Sequence, residues 1–341
     1  MMVKVRWALL GSCLVLASCD KPTAFAPEIP PVNSAGPGQQ YRLTGQLLSL
    51  QKGQAIAGAT GQWAGYSTTP FLSDASGRFS VDASPGSLMF TIDAPGYLQR
   101  RSTLMVSGPR DNVTLDMISL EPPFSLAFYR QFARNHFENP LAYSHTNPWP
   151  VDPKFYIRTV TYDSAEVVPD EVIQGVRRVI EASVPELSGG RRRVAEFRSG
   201  PGVMPAAIGW VEVSFARQVG PDRVGEATLG YADGGRYMHL KYYGDPSLSN
   251  SRRCEDAAVA IAEHEMVHMM GFFHTDQTGL AGSDFLSAGS GCPGSGRSAR
   301  AVYHANIMYS RPRHNLDPDL DPPLLVSPSS VRESQVIRCR M

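Results

Sequence analysis

The sequence has little charge and no excess of either sign. Lysine and arginine together number 32, aspartate and glutamate also number 32, and the four types make up 19% of the 341 residues. A basic excess is the usual electrostatic signature of nucleic-acid binding, so this balance gives no support for a nucleic-acid partner. The apolar run at residues 7–17 is shorter than the ~20 residues that a transmembrane helix needs.

That short run lies in a segment with the features of an export signal. Lys4 and Arg6 precede it, and Leu16-Ala17-Ser18-Cys19 follows its core. The segment resembles a bacterial lipoprotein signal with its lipobox, which implies cleavage before Cys19 and lipidation of the Cys19 thiol. The alternative is an ordinary secretory signal with an incidental cysteine. Under either interpretation residues 1–18 are a signal peptide that is removed and takes no part in the fold.

A lipidated Cys19 implies a protein held on a bacterial membrane, outside the cytoplasm, by its acyl chains. In Gram-negative lipoproteins an aspartate directly after the lipidated cysteine often signals retention at the inner membrane. Asp20 therefore favours the periplasmic face of the inner membrane, and the outer membrane is the alternative. Residues 19–40 are rich in Pro, Ala, Gly, Ser and Gln, so we predict a flexible tether between the anchor and the folded part.

Residues 41–120 alternate short apolar strands with turn signals every 8–12 residues, which predicts a small antiparallel β-sandwich. The block resembles the carboxypeptidase regulatory-like, transthyretin-like family. The residues that carry this resemblance are Gly45, Gly58-Ala59, Asp74, Gly77-Arg78-Phe79, Pro85-Gly86 and Ala94-Pro95-Gly96-Tyr97. No group of residues here suggests chemistry, so the resemblance implies a folding, spacing or binding module.

Residues 121–153 are expected to be a linker with one helix, because apolar residues recur at helical spacing between 124 and 137. From residue 154 to 341 the pattern of strand, helix, further strands and a long helix predicts an α+β domain with a mixed sheet. A final short helix is expected from Ser327 to about Cys339.

The strongest pattern is His264-Glu265-Met266-Val267-His268-Met269-Met270-Gly271-Phe272-Phe273-His274, which holds three of the eight histidines. Positions i and i+4 lie on one face of a helix, so His264 and His268 can aim two imidazoles at one point. Gly271 can end the helix with a positive φ, and His274 can then supply a third nitrogen. Three protein ligands with one open position is the arrangement of a catalytic Zn²⁺. The alternative is a surface helix with scattered histidines.

The motif resembles that of the metzincin clan of zinc endopeptidases, and Asn306-Ile307-Met308-Tyr309-Ser310 resembles the clan's Met-turn. The resemblance implies an α+β, metzincin-like catalytic domain over 154–341, of matrixin-like layout: a mixed twisted sheet, an active-site helix and a Met-turn with Met308 beneath the zinc. Thr275 stands where named families carry their own marker residue. Tyr309 follows the methionine by one residue, whereas families with a tyrosine ligand have it two residues after. The flanking histidines, His304 and His314, are interpreted as loop residues.

These groups predict a zinc-dependent endopeptidase. Neutral imidazoles leave Zn²⁺ its positive charge, which lowers the pKa of bound water toward ~7. Glu265 is the expected general base, taking a proton from that water and returning it to the leaving amine. The substrate is expected to be a protein or peptide that binds in extended form. By analogy with the clan, residues 226–231 are the expected edge strand that pairs with it, and the alternative is an ordinary paired strand.

Cysteine is scarce, with five residues in the chain. Cys13 leaves with the signal and Cys19 is modified, so Cys254, Cys292 and Cys339 remain in an oxidising compartment. They allow one disulfide and one free thiol. We favour Cys254–Cys292, which would join the start of the metal-binding helix to the loop beyond it.

Two other functions stay open at this stage. The first is a non-catalytic surface or periplasmic binding lipoprotein that works through its β-sandwich and keeps the metal site as a relic. The second is a zinc hydrolase with a substrate such as cell-wall peptide. The intact Glu265 argues against a relic, since such a site could lose its base without losing its metal.

Overall fold

The computed structural model describes residues 39–64, 70–141, 144–204, 207–217, 219, 223–231, 235–242, 257–276, 298–322 and 336–340. The predicted signal peptide, Cys19, Asp20 and the favoured disulfide partners Cys254 and Cys292 lie outside these residues. No helix within the described ranges is long and apolar enough to cross a membrane.

The first part of the chain folds as two facing β-sheets. Its strands are β1 (Tyr41–Ser49), β2 (Thr60–Ala64), β3 (Phe71–Leu72), β4 (Arg78–Ala83), β5 (Gly86–Asp93), β6 (Arg100–Val106) and β7 (Arg110–Met117). The sheets have the orders β4-β1-β7 and β3-β2-β5-β6. Alternate residues of β4 and β5 are buried, as expected when one face of each sheet covers the shared core.

One strand pair in this sandwich differs from the antiparallel arrangement predicted for it. β1 and β7 run parallel, with Leu47 opposite Leu115. Parallel neighbours require a long connection, and here the connection is the rest of the sandwich. A pairing between the first and last strands of the block depends on contacts far apart in sequence, and the local turn signals carry no information about it.

The second part combines a six-stranded sheet with helices. Its strands are β8 (Lys154–Arg158), β9 (Glu196–Gly200), β10 (Trp210–Ala216), β11 (Arg223–Thr228), β12 (Arg236–Lys241) and β13 (Val336–Arg340). Its helices are α1 (Leu126–Arg134), α2 (Asp170–Ser188), α3 (Ala257–Met269) and α4 (Ala299–Tyr309). The strand order is β13-β11-β12-β10-β8-β9. The four strands from β12 to β9 run parallel, and β11 pairs antiparallel with both β12 and β13.

The predicted fold class is wrong. We expected an α+β, metzincin-like catalytic domain behind a small antiparallel sandwich, but the described residues form thirteen strands and only four helices. The fold is β-rich. The error arose because a strand–helix–strand order was taken from a few strongly periodic segments, whereas the sheet pairings that decide the class are non-local.

Two details of the second part also differ from expectation. The residues expected to form a final helix end in a strand, β13, which pairs with β11 from Thr228 opposite Val336 to Gly225 opposite Cys339. As a result β11 is not an edge strand, although residues 226–231 were expected to form the edge. Pairing with β11 gives β13 backbone partners, and this outweighs the local preference that the Ser-Pro start suggested.

A buried cluster of charges joins the two parts. The Arg100 guanidinium lies 2.8 Å from Asp321 and 3.2 Å from Asp319, and Arg311 binds Asp319 and Asp116. The side chains of Arg311 and Asp319 are almost fully buried. Each charge therefore has a partner of opposite sign, which a buried charge requires.

Candidate metal centre

Helix α3 positions the first two histidines. His264 and His268 are one turn apart and face the same side, with their ring centroids 4.9 Å from each other. The helix forms because its sequence, Ala-Ala-Val-Ala-Ile-Ala-Glu-His-Glu-Met-Val-His-Met, is rich in strong helix formers. It is apolar around most of its circumference, and a helix of that kind belongs in a protein interior. His268 and Glu265 are fully buried.

The turn after α3 directs the chain back toward those histidines. Gly271 has a φ of +102°; its N–H donates to the carbonyl of His268 and the next N–H donates to the carbonyl of Val267. This is a Schellman ending, in which a glycine accepts the left-handed backbone conformation. The carbonyl oxygen of Asn147 packs against Gly271 and would lie 3.0 Å from any Cβ placed there. The sequence prediction of a helix-ending glycine therefore agrees with the observed geometry.

Helix α1 holds the segment that carries the third histidine. The ring of Phe132 stacks on Phe272 with centroids 4.4 Å apart and planes 7° from parallel. The N–H of Phe273 donates to the carbonyl of Phe132. Gln131 and Asp276 exchange two hydrogen bonds, at 2.9 and 3.1 Å. These contacts fix residues 272–276 on both sides of His274.

The three histidines meet at one point. Their Nε2 atoms are separated by 3.2 Å for His264 and His268, 3.2 Å for His268 and His274, and 3.3 Å for His264 and His274. Three nitrogens about 2.0–2.1 Å from a tetrahedral Zn²⁺ lie about 3.3–3.4 Å from one another. The observed triangle therefore has the dimensions of three ligands on one such ion. Within the described residues, these three histidines are the one group of three or more His, Cys, Asp or Glu side chains placed to hold a metal ion.

Hydrogen bonds on the far side of two rings set their tautomers. Nδ1 of His268 lies 2.7 Å from the carbonyl oxygen of Phe272, and Nδ1 of His274 lies 2.7 Å from Oε1 of Glu138. Both partners can only accept, so each Nδ1 carries the proton and each Nε2 presents a lone pair. Two lone pairs then face each other at 3.2 Å, an arrangement that a cation between them stabilises.

The environment of His268 also favours the neutral, metal-binding form. Burial, followed by the neighbouring imidazoles of His274 and His264, lowers the pKa of His268 well below its ordinary value. Neutral imidazole is the form that binds a metal. The fit to Zn²⁺ therefore rests on distance, tautomer and protonation state together.

Sequence reasoning missed Glu138. It lies in the linker between the two parts, 136 positions before His274, in a segment for which only a linker with one helix was predicted. A carboxylate on the second nitrogen of a metal-binding histidine orients the ring and raises its basicity. No local pattern marks Glu138, because its partner is brought to it by the packing of α1.

Glu265 lies against the sheet at a glycine. A Cβ placed on Gly225 of β11 would overlap Oε1 of Glu265 and come within 2.7 Å of Ile261. Glycine is thus the residue that lets the strand pass directly beside the carboxylate. This close approach puts the predicted general base between α3 and β11.

Met308 lies under the metal-binding turn, but it is not part of a turn itself. It is fully buried near the end of α4, and its Cε would lie 3.4 Å from a Cβ on Gly271. The expectation of a turn at Met308 is therefore wrong, while its position relative to a bound zinc stays a prediction. The hydroxyl of Tyr309 donates to the carbonyl of Met270 at 2.9 Å, which is a structural role at the end of α3. His304, expected in a loop, is buried in α4.

Comparisons with known proteins identify no family. No family model matches the chain, and no curated protein matches it. A DUF3823 family protein from Parabacteroides merdae is 13% identical over 24% of this chain and 45% of its own, with a TM-score of 0.19. A type II cohesin–X–dockerin complex from Acetivibrio cellulolyticus is 19% identical over 23% of this chain and 58% of its own, with a TM-score of 0.20.

A hydroxyquinol 1,2-dioxygenase from Pseudomonas putida is 13% identical over 24% of this chain and 57% of its own, with a TM-score of 0.21. The chain thus spans about half the length of each of these three structures. None of the three is described as a metzincin catalytic domain. At these TM-scores they carry no argument about this chain, and the candidate site stands on its own geometry.

Proposed function

We propose that this protein is a zinc-dependent peptidase in which His264, His268 and His274 bind Zn²⁺. The observation that carries the proposal is the triangle of Nε2 atoms at 3.2–3.3 Å. In His268 and His274 a hydrogen bond at Nδ1 leaves the lone pair of Nε2 directed into this triangle. Three histidines leave a tetrahedral ion one open position, which is typical of catalytic zinc.

Glu265 is the general base of the proposed reaction. When bound, the zinc ion supplies a Lewis acid that lowers the pKa of water and polarises a carbonyl. Glu265 follows the ligand His264 directly and is enclosed by α3 and β11. Its carboxylate accepts a proton from the attacking water and returns that proton to the amine that leaves. Its burial keeps bulk water from competing for that proton.

Glu138 has a positioning role in this proposal. Its carboxylate accepts a hydrogen bond from the Nδ1–H of His274, which keeps Nε2 unprotonated and aimed at the other two histidines. His268 obtains the same orientation from the backbone carbonyl of Phe272. The ligand set is thereby organised before a metal arrives, and this limits the entropy lost on binding.

We also propose that lipidation at Cys19 anchors the protein to a bacterial membrane outside the cytoplasm, with Asp20 favouring the inner membrane. Support comes from the sequence alone, through the signal and lipobox pattern at residues 4–19. Cell fractionation of the full-length chain and of Cys19→Ser tests this. The wild type should remain with the membrane fraction and the variant should become soluble.

The test of the peptidase proposal uses residues 20–341. After dialysis we expect about one zinc per chain by metal analysis, in line with a three-histidine site. We expect cleavage of an unfolded protein that stops on chelation and returns with added zinc. Cleavage of cell-wall fragments alone would favour the hydrolase alternative. Zinc without cleavage of either substrate would favour a binding lipoprotein.

A further inference from the structure

The strand that passes beside Glu265 has its outer edge occupied by β13. β11 pairs with β12 on one side and with β13 on the other. The partner of Gly225 across this outer edge is Cys339. Since Gly225 is the residue that contacts Glu265, β13 lies one strand spacing, about 4.8 Å, from the backbone at the predicted general base.

β13 is a short segment with the geometry of a bound extended peptide. It has five residues, runs antiparallel to β11 and pairs with it from Val336 to Arg340. Among the strands that the structure describes, β13 is the last in the sheet on its other side. Its described pairing with the sheet therefore runs along one edge, and an extended peptide in its place could make the same main-chain hydrogen bonds whatever its side chains.

We propose that the outer edge of β11 is a binding surface for extended peptides and that the chain's own residues 336–340 occupy it. The surface takes a peptide as an added antiparallel strand. β13 competes with such a peptide and so restrains access to the site. The restraint on cleavage rests on the proposed function, whereas the binding of a peptide strand to β11 does not.

The expected strength of this competition can be estimated. A segment tethered to its site acts at an effective concentration of about 1 mM. A free peptide that binds the vacated edge with a Kd of about 100 μM is then weakened about tenfold by β13 in the intact chain. Removal of β13 should therefore raise both peptide binding and kcat/KM by about that factor.

The binding arm of the test uses a fluorescent peptide of residues 336–341 with Cys339→Ser, and follows its anisotropy. The chain ending at Gln335 should bind this peptide about tenfold more tightly than the full chain does, with zinc and equally after chelation. The matched control peptide carries Ile337→Pro and Arg338→Pro. Adjacent residues of a strand point their N–H groups in opposite directions, so one of the two prolines removes a donor to β11.

The activity arm uses zinc-loaded chains and an unfolded protein. The shortened chain should cleave faster than the full chain, and added peptide should raise its KM. If the shortened chain proves unfolded, the full-length chain with Ile337→Pro and Arg338→Pro replaces it, because that variant keeps the whole length of the chain and weakens the pairing of β13 with β11.

The outcomes separate this proposal from the proposed function. The opened chain is the chain ending at Gln335 or, in its place, the double-proline variant. If the full chain and the opened chain bind the peptide with equal affinity, or if the opened chain does not bind it, the proposed binding surface on β11 is overturned. Tight peptide binding by the opened chain without cleavage by any chain leaves the binding surface supported and sinks the peptidase. Binding and cleavage that both rise on opening support the two together.

Discussion

Oε1 of Glu138 accepts a hydrogen bond from Nδ1 of His274 at 2.7 Å. This contact links the segment between the two parts of the molecule to the third ligand of the candidate metal centre. The linker is therefore a component of the site, since α1 and the residues after it hold the chain that bears His274.

Glu138→Ala should weaken zinc binding about 10–100-fold, the usual effect of removing a carboxylate that orients a ligand histidine. Competition with a fluorescent chelator measures the affinity. Glu138→Gln should fall between the wild type and the alanine variant, because an amide oxygen can still accept from Nδ1 but carries no charge. Glu121→Gln is the matched control. Glu121 lies in the same linker, its side chain is 65% exposed, and its ion-pair partner is Lys52. An unchanged zinc affinity in Glu138→Ala would remove Glu138 from the site.

Gly225→Ala should reduce activity without removing the metal. The added methyl group would overlap the carboxylate of Glu265, and a displaced catalytic group costs about 10²-fold in rate. Zinc content should stay at the wild-type value, because no ligand moves. The control is Gly108→Ala, at a position where a Cβ meets no atom within 4 Å. Wild-type turnover by Gly225→Ala, measured at equal zinc content, would contradict the observed placement of Glu265.

The buried His304 should make the protein less stable in acid. Burial lowers the pKa of His304 to about 4. In the folded protein its Nε2 accepts a hydrogen bond from the N–H of Ser125, and its Nδ1 lies 2.7 Å from the carbonyl oxygen of Arg300. Between that value and the ordinary pKa of ~6.5 the unfolded chain binds the proton and the folded chain does not. Stability is therefore full above pH ~6.5 and falls by about 3 kcal/mol as the pH drops to ~4.

Urea unfolding at pH 7 and pH 4.5, compared between the wild type and His304→Gln, measures this contribution. The variant should be less stable at pH 7, because its side chain fits the site less well, but it should lose less stability on acidification. An equal loss in both proteins would show that His304 does not set the acid limit.

The charge cluster between the two parts should be sensitive to the loss of one partner. Asp319→Ala leaves the buried guanidinium of Arg311 without its closest carboxylate, and breaking a buried pair in this way costs about 3–5 kcal/mol. Asp82→Ala is the control, because its pair with Arg42 is exposed on both sides and should contribute less than ~1 kcal/mol. Denaturant unfolding distinguishes them. Equal, small effects would mean that the cluster does not hold the two parts together.

The helix and turn that carry the metal ligands could be predicted from the sequence because their determinants are local. His264 and His268 are one helical turn apart, and Gly271 supplies the positive φ that ends α3. These are short-range rules of backbone geometry. The meeting of the three histidines is consistent with that prediction, while the metal itself and the resemblance to the metzincin clan stay predictions.

What could not be predicted depends on contacts between distant residues. Three contacts join segments that are far apart in the chain. They are the parallel pairing of β1 with β7, the pairing of β13 with β11 and the hydrogen bond between Glu138 and His274. Local periodicity does not encode such pairings. The helix around Met308 was missed for a different reason, since a motif resemblance to a turn outweighed the helical pattern of residues 299–309.

The most direct measurement compares the rate of cleavage of an unfolded protein by the wild type and by Glu265→Ala at equal zinc content. The account predicts about one zinc per chain in both proteins and a rate that falls about 10²–10⁴-fold in the variant, the range for loss of a general base. Equal cleavage rates in the two proteins, or a wild type that holds zinc and cleaves nothing, would contradict it.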